Sequence, residues 1–339
     1  MSNLRRSVTL ASRPKGAPTL DNFEMREEVM PKPGEAEVLT RTLWLSLDPY
    51  MRGRMSDKAS YAAPIAIGAP MTGETVGEVV ESRDPRFTAG DIVVGAFGWQ
   101  SHIVSSGDRL TIVPTGVPYS AYLGVLGMPG ATAYAGMTEI GQVKPGETVV
   151  ISAASGAVGA VAGQLAKRAG ARVVGVAGNP DKCLYIQDTL GFDECIDHRA
   201  VMDLGSALRD ACPKGIDVYF ENVGGDLQDA VYPLMNDYGR MIMCGMVAEY
   251  NDTKPRPGPN LMDVVKKRLR IEGFIVTDKL QRFVDWRAMA TPWVADGSLH
   301  FREHVVDGLE NAPEAFIDLL RGHNFGKLVI RVAEPSKGV

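Results

Sequence analysis

The sequence predicts an α/β protein in two parts, a β-rich front and a doubly wound parallel-sheet middle, closed by a short tail. Three observations predict it. From residue 147 to about 247, segments of strand and helix pattern alternate regularly, which signals βαβ units. A turn of small residues, 153–159, falls between the first of these strands and its helix. Before them, residues 35–113 show only short strand patterns split by turn residues, as in a mostly antiparallel region.

In the front, EAEVLTRTLWLSL alternates like a strand, ETVGEVVES follows Gly73, and DIVVGAF follows Ala89-Gly90. GMPGATAYAGMTEIG reads as a helix with Pro129 and Gly130 near its start. The middle then runs as strand ETVVIS, helix 157–170, strand RVVGVAG, helix 181–191, strand ECIDH and helix VMDLGSALRDACP. It continues with strand IDVYFENV, helix LQDAVYPLMN and strand GRMIMCGMV. KPRPGPN, at 254–260, carries three prolines and reads as a loop. VVKKRLRIEGFIV gives a helix and a further strand, and FVDWRAMATPWVADG a long helix. The tail NAPEAFIDLLRGHNFGKLVIRV is helix, turn and a strand able to rejoin the front. The boundaries expected are 1–127 with 305–339 for the first domain, and 128–304 for the second.

Composition narrows the function. A chain of 339 residues is too long for one simple core, and 45% apolar with 23% charged residues is ordinary for a folded protein. The net charge is −5 without a long basic run, so no nucleic-acid partner is expected. Residues 148–166 lack any charge, but their period changes midway, which suits a buried strand and packed helix better than a membrane span. The first residues, MSNLRRSVTLASRP, lead into no continuous apolar core, so no secretory signal is expected. Four cysteines, Cys183, Cys195, Cys212 and Cys244, form no C-x-x-C pair, which favours a reducing, cytoplasmic setting. The 37 glycines exceed the usual ~7% and point to tight turns and close backbone approaches.

The small-residue turn suggests a dinucleotide site. Aligned to G-x-G-x-x-G, Ala154 takes the first position, Gly156 the second and Gly159 the third, with Ala157 and Val158 between. Gly156 would let backbone approach a pyrophosphate, Gly159 would let helix and strand pack closely, and the helix start favours phosphate. The next strand ends in Ala177-Gly178-Asn179, without the Asp or Glu that holds the ribose 2′-OH of NAD. Lys182 follows. It is either a solvated helix lysine or the cation for a 2′-phosphate; with the acid absent, the pattern favours NADP(H).

These features, with Asp48-Pro49-Tyr50-Met51-Arg52-Gly53-Arg54-Met55, Gly127-Met128-Pro129-Gly130-Ala131-Thr132-Ala133-Tyr134, Phe220-Glu221-Asn222-Val223-Gly224-Gly225 and Asn324-Phe325-Gly326-Lys327, make the chain recognisable. It resembles the zinc-independent medium-chain dehydrogenase/reductase superfamily, and within it the NADPH-dependent double-bond reductases. These comprise the leukotriene B4 dehydrogenase/prostaglandin reductase group, plant alkenal reductases and bacterial curcumin reductases. IGQVKPGETVVISAASGAVG and GLENAPEAF look most like the curcumin-reductase branch.

The resemblance implies a GroES-like catalytic domain beside a Rossmann domain, NADPH as cofactor, and reduction of the C=C bond of α,β-unsaturated ketones or aldehydes. It implies Tyr250 as the catalytic phenol that stabilises an enolate, or a loop tyrosine that only shapes the pocket, and Tyr50 facing the substrate. It places Met128 and Thr132 beside the nicotinamide, Asn222 and Val223 at the cofactor midsection, and Cys244 under it. Phe274, Val276, Asn324 and Gly326 would close over the nicotinamide end. Arg52 is read as structural. At Asp197-His198-Arg199 relatives often carry Tyr then Lys near the 2′-phosphate, so His198 is the expected contact there. The 254–260 loop would form a lid, and the strand RIEGFIV would pair across a two-fold axis in a homodimer, although it could instead be buried within one chain.

No metal is expected. Thr72-Gly73-Glu74 stands where zinc alcohol dehydrogenases carry Gly-His-Glu, and no cysteine precedes Cys183. His300 and His304, four apart on a possible helix, have no evident third ligand and read as surface or packing residues. Three other readings stay open: a quinone reductase on the same fold, a catalytically silent NADPH-binding protein, and a hydrolase. The last is disfavoured because Ser155 lacks the glycines of G-x-S-x-G.

Overall fold

The protein is described here by a computed structural model covering residues 3–95 and 97–336. It divides into two compact units, Met1–Gly124 with Glu303–Asn324 and Leu328–Val339, and Val125–Arg302 with Phe325–Lys327.

The first unit is built on an antiparallel sheet. Strand Glu37–Ser46 pairs with Thr75–Ser82 on one side and with His102–Ser106 on the other part of its length, and Ile92–Gly95 extends the sheet beyond Thr75–Ser82. Its alternating apolar residues bury Val38, Leu43 and Leu45. The chain end does rejoin this sheet: Val329 lies opposite Ser46 and Ile330 opposite Leu45. A two-stranded ribbon, Leu4–Leu10 with Phe23–Val29, escapes the sequence pattern because most of its second strand is polar and exposed. Phe23 stacks on Trp99 at 5.8 Å, and Phe316 meets Trp99 edge-on at 5.7 Å, which anchors ribbon and C-terminal helix on one core.

The second unit holds a six-stranded parallel sheet. Its strands are β1 (Thr148–Ile151), β2 (Arg172–Ala177), β3 (Glu194–Asp197), β4 (Ile216–Glu221), β5 (Met235–Met243) and β6 (Arg270–Gly273). Their spatial order is β3-β2-β1-β4-β5-β6, the doubly wound arrangement in which the chain reverses direction across the sheet beside β1. Central strands are continuous apolar runs, with Val149, Val150, Ile151, Val218, Tyr219 and Phe220 all fully buried, because helices cover both faces.

Two local expectations need correction. The strand read as starting at Gly239 begins at Met235, with Tyr238 in a left-handed conformation (φ 61°) inside it. His300 and His304 do not share a helix: the helix Gln281–Ala295 stops before Gly297, whose φ of 75° ends it, and His304 lies in strand Glu303–Asp307.

Candidate active site

Each strand of the parallel sheet delivers a candidate site residue just past its C-terminal end. Ala154 to Gly159 follow β1, Gly178 follows β2, His198 follows β3, Asn222 and Val223 follow β4, Cys244 follows β5 and Phe274 follows β6. That edge, at the switch point of a doubly wound sheet, is where such folds bind ligands.

The turn after β1 is shaped by backbone proximity. Ala153 adopts φ 48°, and its carbonyl accepts from Gly156 N–H at 2.9 Å. A side chain on Gly159 would bring a Cβ within 2.4 Å of the Ala153 oxygen, so only glycine lets helix Gly159–Arg168 start so close to the strand end. At Gly156 the nearest atom would be that same oxygen at 3.0 Å, with other directions open. Ala154 is fully buried and donates its N–H to Val176 on β2. Ser155, Gly156 and Ala157 line a small hollow with Phe301, Arg302 and Lys327. Gly326 (φ 84°) sits where a Cβ would fall 2.2 Å from the Arg302 carbonyl, so it too has to be glycine.

Past β2, Asn179 caps helix Pro180–Leu184 by accepting from Lys182 N–H at 2.8 Å. Here the fold gathers cations. A Cβ on Gly178 would lie 3.0 Å from His198 Nε2 and 3.2 Å from Arg199 Nε. Lys182 is buried, and its pKa is lowered first by burial and then by Arg199. The pKa of His198 is lowered first by burial and then by Arg199, Asp197 pulls it back up by less, and Lys182 lowers it a little further. Like charges held together this way suit an anion. Arg199 is an addition to the residues the sequence points to; its one signal there is a cation directly following a strand-end His.

The loops after β4 and β5 are laced together. Asn222 donates its backbone N–H to Ser152 Oγ at 2.7 Å and its side-chain amide to the Ser152 carbonyl at 2.8 Å. Cys244 and Gly245 N–H both donate to the Glu221 carbonyl, Val247 N–H to Asn222, and Ala248 N–H to Val223. Beneath lies Glu221, fully buried, whose role no sequence pattern signals. Its Oε1 accepts from Tyr219 OH, Ser152 Oγ and the N–H groups of Val223 and Gly224, and its Oε2 from Gln228. Burial and Glu221 together push the Cys244 thiol up to about 12, so it is an inert neutral group. Tyr250 closes the turn Val247–Glu249, and its hydroxyl would lie 3.0 Å from a Cβ on Gly245, so the phenol folds back over the end of β5.

Met128 opens helix Met128–Ala135, and Thr132 Oγ donates to its carbonyl at 2.7 Å. Gly130 permits a close crossing, since its Cβ would meet the Val125 carbonyl at 1.9 Å. Past β6, Arg282 donates to the Ile275 carbonyl and pairs with Glu139, which fixes the backbone that carries Phe274 and Val276. Tyr50 and Asn324 belong to the first unit. Tyr50 precedes helix Met51–Arg54 with the Arg54 guanidinium 5.8 Å above its ring, and burial with Asp48 and Glu74 raises its pKa, so the phenol stays protonated. Asn324 lines a cavity with His304 and His323. Among the described residues, no group of three or more His, Cys, Asp or Glu is placed to hold a metal ion.

Fold and glycine-shaped turn define a two-domain, dinucleotide-dependent oxidoreductase. The comparisons agree. Residues 6–113 match the N-terminal domain of oxidoreductase, and residues 157–296 match the zinc-binding dehydrogenase domain. The chain is 52% identical to an NADPH-dependent curcumin reductase of Escherichia coli, over 97% of each chain. It is 44% identical to a 2-alkenal reductase (NADP(+)-dependent) of Nicotiana tabacum, over 88% of each. A solved structure, CurA of Vibrio vulnificus in complex with NADPH, superposes with a TM-score of 0.93 at 47% identity, covering 97% of this chain and all of that one. The chain belongs to the NADPH-dependent double-bond reductases of the medium-chain dehydrogenase/reductase superfamily.

Proposed function

We propose that this protein reduces the C=C bond of α,β-unsaturated ketones and aldehydes, curcumin-like enones and alkenals among them, with NADPH. The observation that carries the reading is the row of site residues along the C-terminal edge of the parallel sheet, in a chain 52% identical to an NADPH-dependent curcumin reductase.

The residues present fit the cofactor. Gly156 and Gly159 leave room for a pyrophosphate at a helix start, and Lys182, His198 and Arg199 supply positive charge for a 2′-phosphate. Met128, Thr132, Asn222, Val223, Cys244, Phe274, Val276, Asn324 and Gly326 are assigned to the rest of the cofactor. Bound NADPH supplies hydride from the nicotinamide C4 to the substrate β-carbon.

As hydride arrives, negative charge moves onto the carbonyl oxygen. A neutral phenol stabilises it, because with an ordinary pKa near ~10 it donates a hydrogen bond without giving up its proton at neutral pH. Tyr250 takes this role, and Tyr50, also a protonated phenol, faces the substrate. The reaction needs no zinc: where zinc alcohol dehydrogenases have Gly-His-Glu this chain has Thr72-Gly73-Glu74, and its first cysteine is Cys183. The 254–260 segment serves as the lid. The domain division we adopt is 1–127 with 305–339, and 128–304.

The working form is a homodimer. Its support is β6, which ends the sheet with Ile271 exposed and, among the described residues, has no strand paired to its outer edge. The setting is cytoplasmic, supported by four cysteines that are all free thiols. No helix among the described residues is long and apolar enough to cross a membrane.

The reading is tested by following consumption of reduced nicotinamide with linear enals, enones and quinones, with NADH in parallel. Turnover of enones with a strong preference for NADPH supports it. Turnover confined to quinones makes the protein a quinone reductase, and NADPH binding without turnover of any acceptor makes it catalytically silent.

A further inference from the structure

Cys183 and Cys195 come from different elements, helix Pro180–Leu184 and strand β3, yet their sulfurs lie 2.7 Å apart, the Cys195 thiol donating to Cys183. A disulfide needs about 2.05 Å, so closing the gap asks for a shift of well under an ångström. The packing explains how they meet. Cys195 is registered opposite Gly175 of β2, and Gly175 brings no side chain to the face that helix and following turn cover. The other two thiols, Cys212 and Cys244, have no sulfur partner among the described residues and serve as internal controls.

The pair also has a particular address. Cys183 follows Lys182, and Cys195 stands three residues before His198, so the two sulfurs join the two elements that carry the cationic cluster.

We propose that Cys183 and Cys195 form a reversible dithiol–disulfide site, oxidised by small peroxides, that ties the helix after β2 to β3 behind the 2′-phosphate cluster. The Cys183 thiolate attacks one oxygen of hydrogen peroxide and the O–O bond breaks. The departing hydroxide takes up a proton as water, and Cys183 becomes a sulfenic acid. Cys195 sulfur then attacks Cys183 sulfur, the S–O bond breaks, and a second water leaves with the Cys195 proton. Two thiols and one peroxide become one disulfide and two waters. Cys183 is the attacking sulfur because it receives the hydrogen bond, which favours its thiolate, while Cys195 keeps its proton until the second step. Burial raises both thiols, so the site is slow and answers to excess peroxide.

The test is oxidation of the full-length protein with excess hydrogen peroxide, quenching with an alkylating agent and peptide mapping. The expected result is a 183–195 linkage with loss of two hydrogens, reversed by dithiothreitol, while Cys212 and Cys244 are still alkylated. The oxidised protein should melt several degrees higher, since the cross-link restricts the unfolded chain. In Cys195→Ser, a sulfenic acid trapped on Cys183 by dimedone should replace the disulfide. Oxidation of Cys212 or Cys244 ahead of the pair, or over-oxidation of Cys183 to sulfinic acid in the unmutated protein, would overturn the proposal. The mapping requires no turnover, so its outcome is independent of the reductase reading.

Discussion

The Ser152 hydroxyl and the Glu221 carboxylate meet at 3.2 Å at the ends of neighbouring strands β1 and β4, and both reach the backbone of the loop between Asn222 and Gly224. Neither side chain is exposed to solvent. The loop after β4 is therefore held from below by a buried carboxyl group, both of whose oxygens accept from donors of the same unit.

Glu221→Gln keeps the shape but turns an amide NH2 or a weaker acceptor toward the Val223 and Gly224 N–H groups. Leaving such buried donors unmatched costs about 1–3 kcal/mol. The expected outcome is a lower melting temperature and a raised KM for NADPH, with partial recovery in Glu221→Asp. A Gln variant with unchanged KM and stability would contradict the role given to the carboxylate.

Gly159 and Gly156 should respond unequally to alanine. At 159 the added Cβ collides with backbone at 2.4 Å, whereas at 156 it meets one oxygen at 3.0 Å. Gly159→Ala should cost about 1–3 kcal/mol in thermal or urea unfolding, as overpacking does. Gly156→Ala should fold nearly normally and show its defect in cofactor titration.

In the proposed site the cation cluster past β2 is what sets cofactor choice, and Arg199 tests that assignment. Arg199→Ser removes one charge-assisted contact to a 2′-phosphate, worth about 1.5–3 kcal/mol, or roughly a 10- to 100-fold rise in KM for NADPH. The KM for NADH should hardly move. Equal losses with both cofactors would show that Arg199 acts on the fold instead.

Glu139 offers a pH signature. Hydrogen bonds from Arg282, then Lys279, and the charges of both hold its carboxyl at about 2 against burial. A carboxyl whose folded pKa lies below the unfolded value contributes stability above the unfolded value, near 4.5, and loses it as pH falls toward about 2. Glu139→Gln should therefore be less stable than the parent at neutral pH, and the gap in urea midpoint should narrow below about pH 4.5. A gap independent of pH would rule out the ion pair as its source.

Much of the fold was legible because its signals are local. Strands β1 to β4 show as apolar runs divided by helix patterns, and the glycines of 153–159 are demanded by contacts one turn away. The start of β5 is hidden in the sequence because Asn236, Asp237 and Tyr238 look like a turn: Met235 already pairs with Ile216 on β4, and the register then skips to Arg240 opposite Val218, with Tyr238 left-handed in between. Arg199 and Glu221 carry no local signal, since their value depends on neighbours distant in sequence: Lys182 and Gly178 for one, Ser152 and Gln228 for the other. The Cys183–Cys195 contact is of the same kind, for no spacing rule announces it.

The most direct test of the central claim is identification of the product formed from NADPH and an α,β-unsaturated ketone by the parent protein and by Tyr250→Phe. The expected product is the saturated ketone, with hydride label from the nicotinamide C4 at the β-carbon. The Phe variant should bind NADPH normally but turn over at least about tenfold more slowly, as loss of a hydrogen bond to developing charge entails. An allylic alcohol as product, or label at the carbonyl carbon, would contradict the claim.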